Sequence, residues 1–424
     1  MKILVVGSGG REHAIVMALS KSKEITKLYA APGNGGISEL AECVPISAVD
    51  VTAMVDFAKN NAIDYVVVTP DDPLVLGMVD ALKAEGIEAF GPSKAAAQIE
   101  GSKVFSKQLM EKYNIPTAQY KSFSKLEEAL AFVEKEDKPW VIKADGLALG
   151  KGVLLCQNAN EAKEALVEMM EKQKFGSAGN RVVVEEMLYG PEVSVLCFTD
   201  GKTIKPMVSS MDHKRALDGD AGLNTGGMGV IAPNPYYTKE IADTCMQEIF
   251  LPTLKAMQAE NAPFTGCLYF GLMLTSNGPK VIEYNCRFGD PETQAVLPLL
   301  QDDLLKIMLA TTRGTLENTS VNFAKQSSCA VVLASGGYPS SYKVGKVING
   351  LDQAKTMAWV QHAGTKKENN ELYTAGGRVL AVTAVACDLP TAINNAYKAV
   401  NCINFEDMHY RKDIGALALR CLRK

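Results

Sequence analysis

At 424 residues the chain is too long for one ordinary hydrophobic core, so two to four domains are expected. Its 47% hydrophobic and 22% charged content describes a soluble globular protein, and a formal charge of −4 gives no general electrostatic reason to bind nucleic acid or anionic membrane. The start shows no signal-peptide pattern, no apolar run approaches the ~20 residues of a membrane span, and ten scattered cysteines without C-x-x-C read as a reduced, cytoplasmic protein without a zinc site.

Residues 2–6 (KILVV) predict a strand, Gly7-Ser8-Gly9-Gly10 a turn, and 11–20 a helix. Apolar runs at 28–31 and 65–69 alternate with helical stretches such as 74–84, a β-α-β series and hence a mostly parallel sheet. A dinucleotide fingerprint G-x-G-x-x-G fails, because Glu12 stands where its third glycine belongs. Either this is a plain strand-to-helix turn, or the N–H groups of Gly9 and Gly10 at the helix N-terminus, backed by Arg11, hold a single phosphate.

Gly91-Pro92-Ser93 marks a boundary, and an Ala-rich helix then leads to Glu100-Gly101-Ser102-Lys103. A helix to Tyr113, a strand over 118–121, a helix over 125–135 and a buried strand over 140–143 follow, the last ending in Lys143. The loop A-D-G-L-A-L-G-K-G then runs straight into the strand V-L-L-C. It is not a Walker A loop: three residues separate Gly146 from Gly150, Gly152 follows Lys151 in place of Ser or Thr, and a strand follows in place of a helix. Between antiparallel strands, 145–152 reads as a flap over phosphates, the plainer alternative being a long mobile turn. A helix over 161–172 and a strand over 182–186 complete this unit. From Glu185 and Glu186 through Leu188 a strand gives way to a linker whose backbone groups suit an adenine edge, and Glu192 on the next strand suits ribose hydroxyls. Asp212-His213-Lys214-Arg215 and residues 224–229 (NTGGMG) read as two polar, flexible stretches before a long helix over 239–260.

Within 264–292 two apolar runs flank Ser276-Asn277-Gly278-Pro279, which predicts a hairpin. Strand alternation puts Glu283, Asn285 and Arg287 on one face, supported by Val281, Ile282 and Tyr284. A carboxylate, an amide oxygen and a guanidinium in one row suit Mg²⁺ bridging phosphates that the arginine also grips. The alternative is an exposed hairpin with a solvated Glu/Arg ladder. A third unit starts at Gln326, with a strand over 329–334, Gly336-Gly337-Tyr338-Pro339, a strand over 378–386, a helix over 390–400 and a closing Arg411-Lys412-Asp413-Ile414-Gly415. The expected class is α/β: an N-terminal parallel α/β domain over 1–101, a central domain over 102–325 with a mobile subdomain at about 121–190, and a small C-terminal α+β domain over 326–424.

VIKADGLALGKGV, NTGGMG and VIEYNCRFGDPETQ together resemble the phosphoribosylamine–glycine ligase family of ATP-grasp enzymes. VVGSGGREHA, APGNGG, EGSK and AGGRVL extend the resemblance over nearly the whole chain. VIEYNCRF alone says only ATP-grasp; GDPETQ, DHKR and NTGGMG make it specific. The resemblance implies a central ATP-grasp domain that joins glycine to 5-phosphoribosylamine through glycyl phosphate, giving glycinamide ribonucleotide, ADP and phosphate in purine synthesis. It implies ATP with Mg²⁺, or Mn²⁺ in its place, and glycine and 5-phosphoribosylamine as small-molecule substrates; a monomer without nucleic-acid or membrane partners is expected. By position it implies Lys103 and Lys143 on the ATP phosphates, with Gly150, Lys151 and Gly152 in the closing loop. Glu185, Glu186 and Leu188 would line adenine, Glu192 the ribose, and Glu283 and Asn285 the metal. Asp212, Arg287 and Asp290 would face the reacting glycine and γ-phosphoryl group beside Lys143. Gly9, Gly10, Arg11 and Asp71, with Asn224, Gly226 and Gly227, would meet the substrates. Asp71 replaces the family's usual Glu, and Leu223 and Met211 its commoner Pro and Gln. Another ATP-grasp carboxylate–amine ligase or carboxylase of purine metabolism is the competing assignment, and a catalytically silent nucleotide-binding protein a third.

Overall fold

The computed structural model describes residues 1–147 and 152–423. The N-terminal strands form a parallel sheet in the order Glu42–Cys43, Lys27–Pro32, Lys2–Gly7, Tyr65–Val68, Glu88–Phe90. The unbroken apolar runs of Lys2–Gly7 and Tyr65–Val68 belong to a sheet covered on both faces, and both strands are buried accordingly. The single helix expected over 74–84 is instead two, Asp71–Leu76 and Met78–Ala84, because Gly77 between them sits at φ +93°.

Two antiparallel sheets make up the centre. One has the order Tyr120–Phe123, Val182–Glu186, Trp140–Ala144, Val153–Cys156. Its period-two pattern sends Trp140, Ile142, Val182 and Val184 under the helices Leu126–Glu134 and Ala159–Leu166, which leaves Lys143 and Glu185 on the opposite face. The other has the order Ile204–Pro206, Glu192–Asp200, Thr265–Thr275, Gly278–Asn285. Lys143 crosses from the first sheet to the Ile282 carbonyl of the second at 2.8 Å. The long helix expected over 239–260 runs from Lys239 to Ala259, with a widened turn at Met246–Phe250 just before Pro252, which has no N–H to give.

The C-terminal sheet orders Met211–Asp212, Gly229–Ala232, Ser327–Ser335, Arg378–Ala386 and Trp359–His362, with Met408–His409 also pairing to Ser327–Ser335. Its first two strands come from the stretch read as central, polar and flexible. Those strands are two and four residues long, too short to show an alternating pattern. The helix Leu389–Val400 covers this sheet with Leu389, Ala392, Ala396 and Ala399, one face at helical spacing. N-terminal and C-terminal units meet at a seam where the His362 N–H donates to His13 Nδ1 at 2.7 Å, and Asn34 Nδ2 donates to the Ser8 and His362 carbonyls, each at 2.8 Å.

Candidate active site

A bulge decides where the hairpin's polar side chains point. Pairing runs in register from Gly278 to Val281 and resumes at Glu283 opposite Gly271, with Ile282 inserted between. In an unbulged strand Val281 and Glu283, two residues apart, would share a face; with Ile282 bulged out, Val281 and Tyr284 enter the core, while Glu283 and Asn285 stay half-buried on the other side. Gly271 supplies the space, since a Cβ there would lie 2.8 Å from Glu283 Cγ. Arg287, expected in the same row, lies past the strand end at Asn285. Its guanidinium donates to Glu100 Oε1 at 2.8 Å and lies 3.9 Å from Asp71 Oδ2. Glu100 also accepts the Cys286 N–H at 2.7 Å, and the Asn285 amide, turned so that its nitrogen can donate, reaches Glu100 Oε1 and the Tyr284 carbonyl at 3.1 Å each. One buried carboxylate therefore fixes residues 285–287 together.

Four cations surround Glu283: burial would raise its pKa, but Lys214, Lys143, Lys103 and Arg287 together lower it. Lys214 Nζ lies 3.6 Å from Glu283 Oε1 and 2.8 Å from Glu192 Oε2. Lys143 lies 3.1 Å from Glu185 Oε2, which also meets Lys107 at 3.2 Å, while buried Glu185 Oε1 has no hydrogen-bond partner among the described residues. Lys103 opens the helix Lys103–Lys112, capped by Ser102, and donates to the Gly146 carbonyl at 2.8 Å. Asp145 accepts from Ser102 Oγ at 2.9 Å and the Val104 N–H at 3.1 Å, tying one end of the loop to that helix. At its far end the Gly152 carbonyl accepts from the Ala144 N–H at 2.9 Å. Gly150 and Lys151, expected in the closing loop, lie outside the described residues. Glu186 bridges the two sheets to Lys280 at 3.2 Å, and Leu188 is half-buried in the linker beyond. A carboxylate and an amide oxygen are hard donors that fit Mg²⁺. No cluster of three or more His, Cys, Asp and Glu able to hold a metal occurs among the described residues, so phosphate oxygens and water would complete its shell.

At the N-terminal turn the expected phosphate meets a competitor. Glu12 folds back to accept from the Gly9 N–H at 2.6 Å, Arg11 Nε at 2.5 Å and Thr69 Oγ1 at 2.7 Å. The residue that breaks the dinucleotide fingerprint thus fills the anion position itself. Arg11 is held inward with Nη1 on the Phe288 carbonyl at 3.2 Å, and Gln294 closes off Gly10. Gly9 does line a cavity of about 390 Å³, together with Asn34, Asp290, Tyr338 and Arg378. Arg378 reaches Asp290 at 2.9 Å and the Gly226 carbonyl at 2.7 Å. Burial would raise the Asp290 pKa, but Arg378 and Arg11 lower it. Gly227, at φ +113°, packs where a Cβ would come within 2.4 Å of Pro291 and 2.7 Å of Asp212 Oδ1. Burial and the neighbouring Glu292 hold the Asp212 carboxyl well above the usual carboxylate range.

Residues 409–415 brace this side of the site. In the hairpin Arg215–Leu217 and Ala221–Asn224, the first strand and the turn are bonded to residues 409–413. Arg411 reaches the Arg215 carbonyl at 3.2 Å and Asp220 at 2.7 Å, and pairs with Asp413 at 2.8 Å. The Lys412 N–H meets Asp218 and the Gly219 N–H meets Asp413, both at 2.8 Å. The Gly415 N–H donates to His213 Nε2 at 3.0 Å.

Comparison with known proteins accounts for all three units. Residues 1–100, 101–293 and 328–417 match the N, ATP-grasp (A) and C domains described for phosphoribosylglycinamide synthetase. A phosphoribosylamine–glycine ligase from Caldanaerobacter subterraneus subsp. tengcongensis is 49% identical across 98% of this chain and 100% of its own. The chain belongs to the phosphoribosylamine–glycine ligase family. The crystal structure of the Thermotoga maritima phosphoribosylamine–glycine ligase superposes with a TM-score of 0.87 at 31% identity, covering 98% of this chain and 100% of its own. The human trifunctional purine biosynthetic protein adenosine-3 is 45% identical across 100% of this chain, which spans 42% of that protein. Biotin carboxylase from Campylobacter jejuni shares the fold, at a TM-score of 0.75 and 13% identity over 96% of this chain and 92% of its own. Within this ATP-grasp ligase, sequence reasoning gave no role to Glu100, Lys214, Tyr338 or Arg378. Each lies in a stretch singled out above (EGSK, DHKR, GGYP, AGGRVL), but the signal named the motif and not the partner across the fold.

Proposed function

We propose that this ligase transfers the γ-phosphoryl group of ATP to the glycine carboxylate, and that the amine of 5-phosphoribosylamine then displaces phosphate from glycyl phosphate to give glycinamide ribonucleotide. The observation carrying this reading is the continuity of residues 283–290, which run from Glu283 among its four cations to Asp290 at the cavity wall. Nucleotide and acceptor sites separated by so short a stretch let one glycine reach both. A carboxylate does not react with an amine unaided, because oxide would have to leave; phosphate is a competent leaving group.

Mg²⁺ on Glu283 and Asn285 would neutralise phosphate charge. Lys103 and Lys143 meet the ATP phosphates, and Arg287, fixed by Glu100, meets the reacting carboxylate and γ-phosphoryl group. The unpartnered Glu185 oxygen suits the exocyclic amine of adenine, and Glu192 the ribose hydroxyls. Asp212, Asp290, Asn224, Gly226 and Gly227 frame glycine, while the cavity with Gly9, Asn34 and Arg378 takes the phosphoribosyl group. All ten cysteines are unpaired, which supports the cytoplasm as the place of work, and no helix among the described residues is long and apolar enough to cross a membrane. The test uses glycine labelled with heavy oxygen in its carboxylate, turned over with ATP and 5-phosphoribosylamine. One labelled oxygen in each released phosphate is expected; unlabelled phosphate accompanying the ribonucleotide would exclude glycyl phosphate.

A further inference from the structure

Of the two metal candidates, Asn285 alone has unlike ends: an oxygen that a hard cation takes and a nitrogen that it does not. Strand alternation puts the side chain on the right face but cannot say which end points where. Two neighbours decide it. Glu100 Oε1 and the Tyr284 carbonyl both lie 3.1 Å from one side of the amide, and both are acceptors. Only the nitrogen satisfies them, so the oxygen faces the opposite side. Glu100 cannot turn to accept the reverse arrangement. Its side chain is 8% exposed and sits in the last turn of the helix Lys94–Gly101, whose Ala96, Ala97 and Ile99 are buried. Oε1 also accepts from Arg287 at 2.8 Å, and Oε2 from the Cys286 N–H at 2.7 Å.

We propose that Glu100 is a positioning residue for the metal: by accepting from the Asn285 nitrogen it presents the Asn285 oxygen to Mg²⁺ beside Glu283. The assignment rests on the metal reading of the preceding section. Glu100 is not itself a ligand there and acts only through Asn285. A carboxylate suits the task because it offers acceptors alone. A glutamine at position 100 would give its oxygen to the Cys286 N–H and set its NH₂ against Asn285. The Asn285 amide would then turn its oxygen to that NH₂ and its nitrogen to the metal. An aspartate at position 285 carries oxygen at both ends, so it meets the glutamine and the cation together. The Tyr284 carbonyl opposes an oxygen in both cases and cancels between them.

The test is calorimetric titration of ADP, with saturating Mg²⁺ and with EDTA, into the wild-type chain, Glu100→Gln and the pair Glu100→Gln/Asn285→Asp. The ratio of the two affinities is the metal's share. Glu100→Gln is expected to lower that ratio at least tenfold while the affinity in EDTA stays within twofold, and the pair returns the ratio to within about threefold of the wild type. A carboxylate that only held the fold together would not be answered by a change at the metal ligand. An unchanged ratio in Glu100→Gln, or a pair with no better ratio than Glu100→Gln, overturns the proposal. If Glu100→Gln alone does not fold, urea unfolding compares Asn285→Asp with the pair. Asn285→Asp by itself sets carboxylate against carboxylate and should unfold at lower urea; equal midpoints overturn the proposal. A wild-type chain that binds ADP equally in Mg²⁺ and EDTA would instead remove the metal reading, and this assignment with it.

Discussion

The smallest decisive feature of the site is a missing methyl group. Gly271 has an ordinary extended conformation, so nothing in its backbone requires glycine; what requires it is Glu283 directly across the hairpin. Gly271→Ala would place a Cβ 2.8 Å from Glu283 Cγ and drive the carboxylate off its position. We expect the variant to remain folded and to need roughly tenfold more Mg²⁺ for half-maximal turnover, the range typical when a metal ligand loses its support. A Mg²⁺ titration of activity checks this, and an unchanged midpoint would remove Glu283 from the metal. Residue placements of this kind were legible in the sequence only where they lie along one strand. Glu283 and Asn285 follow from alternation, whereas Glu100 is 187 residues from the arginine that it holds, and no spacing rule reaches that far.

Among the elements, the hairpin Arg215–Leu217 and Ala221–Asn224 shows how a polar loop becomes ordered. The charged tetrapeptide and the glycine-rich hexapeptide carry no hydrophobic periodicity, which is why they read as flexible. Their order comes from residues 409–415, above all from fully buried Arg411. Arg411→Met keeps the length and removes the hydrogen bonds to Arg215, Asp220 and Asp413. We expect a loss of about 1–3 kcal/mol in stability and faster amide exchange confined to 215–224. Turnover should fall while ADP affinity holds, because the proposed nucleotide site lies against other strands. Unchanged exchange in the hairpin would show that the brace is ornamental. The regular elements were legible where buried runs or helical periodicity were long, as in Lys2–Gly7, Val182–Glu186 and Leu389–Val400. The strands Met211–Asp212 and Gly229–Ala232 escaped because they are made by their partners.

For the molecule as a whole, three of the four histidines are buried and uncharged. Burial lowers His13 and His362 to about 3 and His213 to about 4, the proximity of His362 adding to the effect on His13. His13 and His362 join the N-terminal and C-terminal units, and His213 ties the segment before the Arg215–Asn224 hairpin to Gly415. Each would take up a proton near pH 6.5 once unfolded, but only near pH 3–4 when folded. The unfolded state therefore binds more protons in that window, and stability that is complete above pH ~6.5 drains away as the pH falls, at about 1.4 kcal/mol per pH unit for each histidine. Urea unfolding between pH 7 and pH 4.5 reads this directly. His13→Gln should flatten the slope by one histidine's share, and a wild-type stability that does not change below pH 6 would contradict the assignment.

Two short strands, Met211–Asp212 and Gly229–Ala232, lie outside the nine-residue strand Ser327–Ser335 and screen it from the end of the sheet. A scissor cut at residue 326 would therefore sever a sheet, although it passes through no strand. The excised piece 327–423 would keep Met408–His409 on Ala334 and Ser335 but present residues 328–331 as a bare template, all four buried in the intact chain and paired there with Gly229–Ala232. Such a fragment should self-associate through that rim, by copies trading strands with one another. Adding the separate peptide 211–232 should return it to a monomer, and light scattering of the two preparations tells them apart. The three units can be named one at a time, but they cannot be taken apart one at a time.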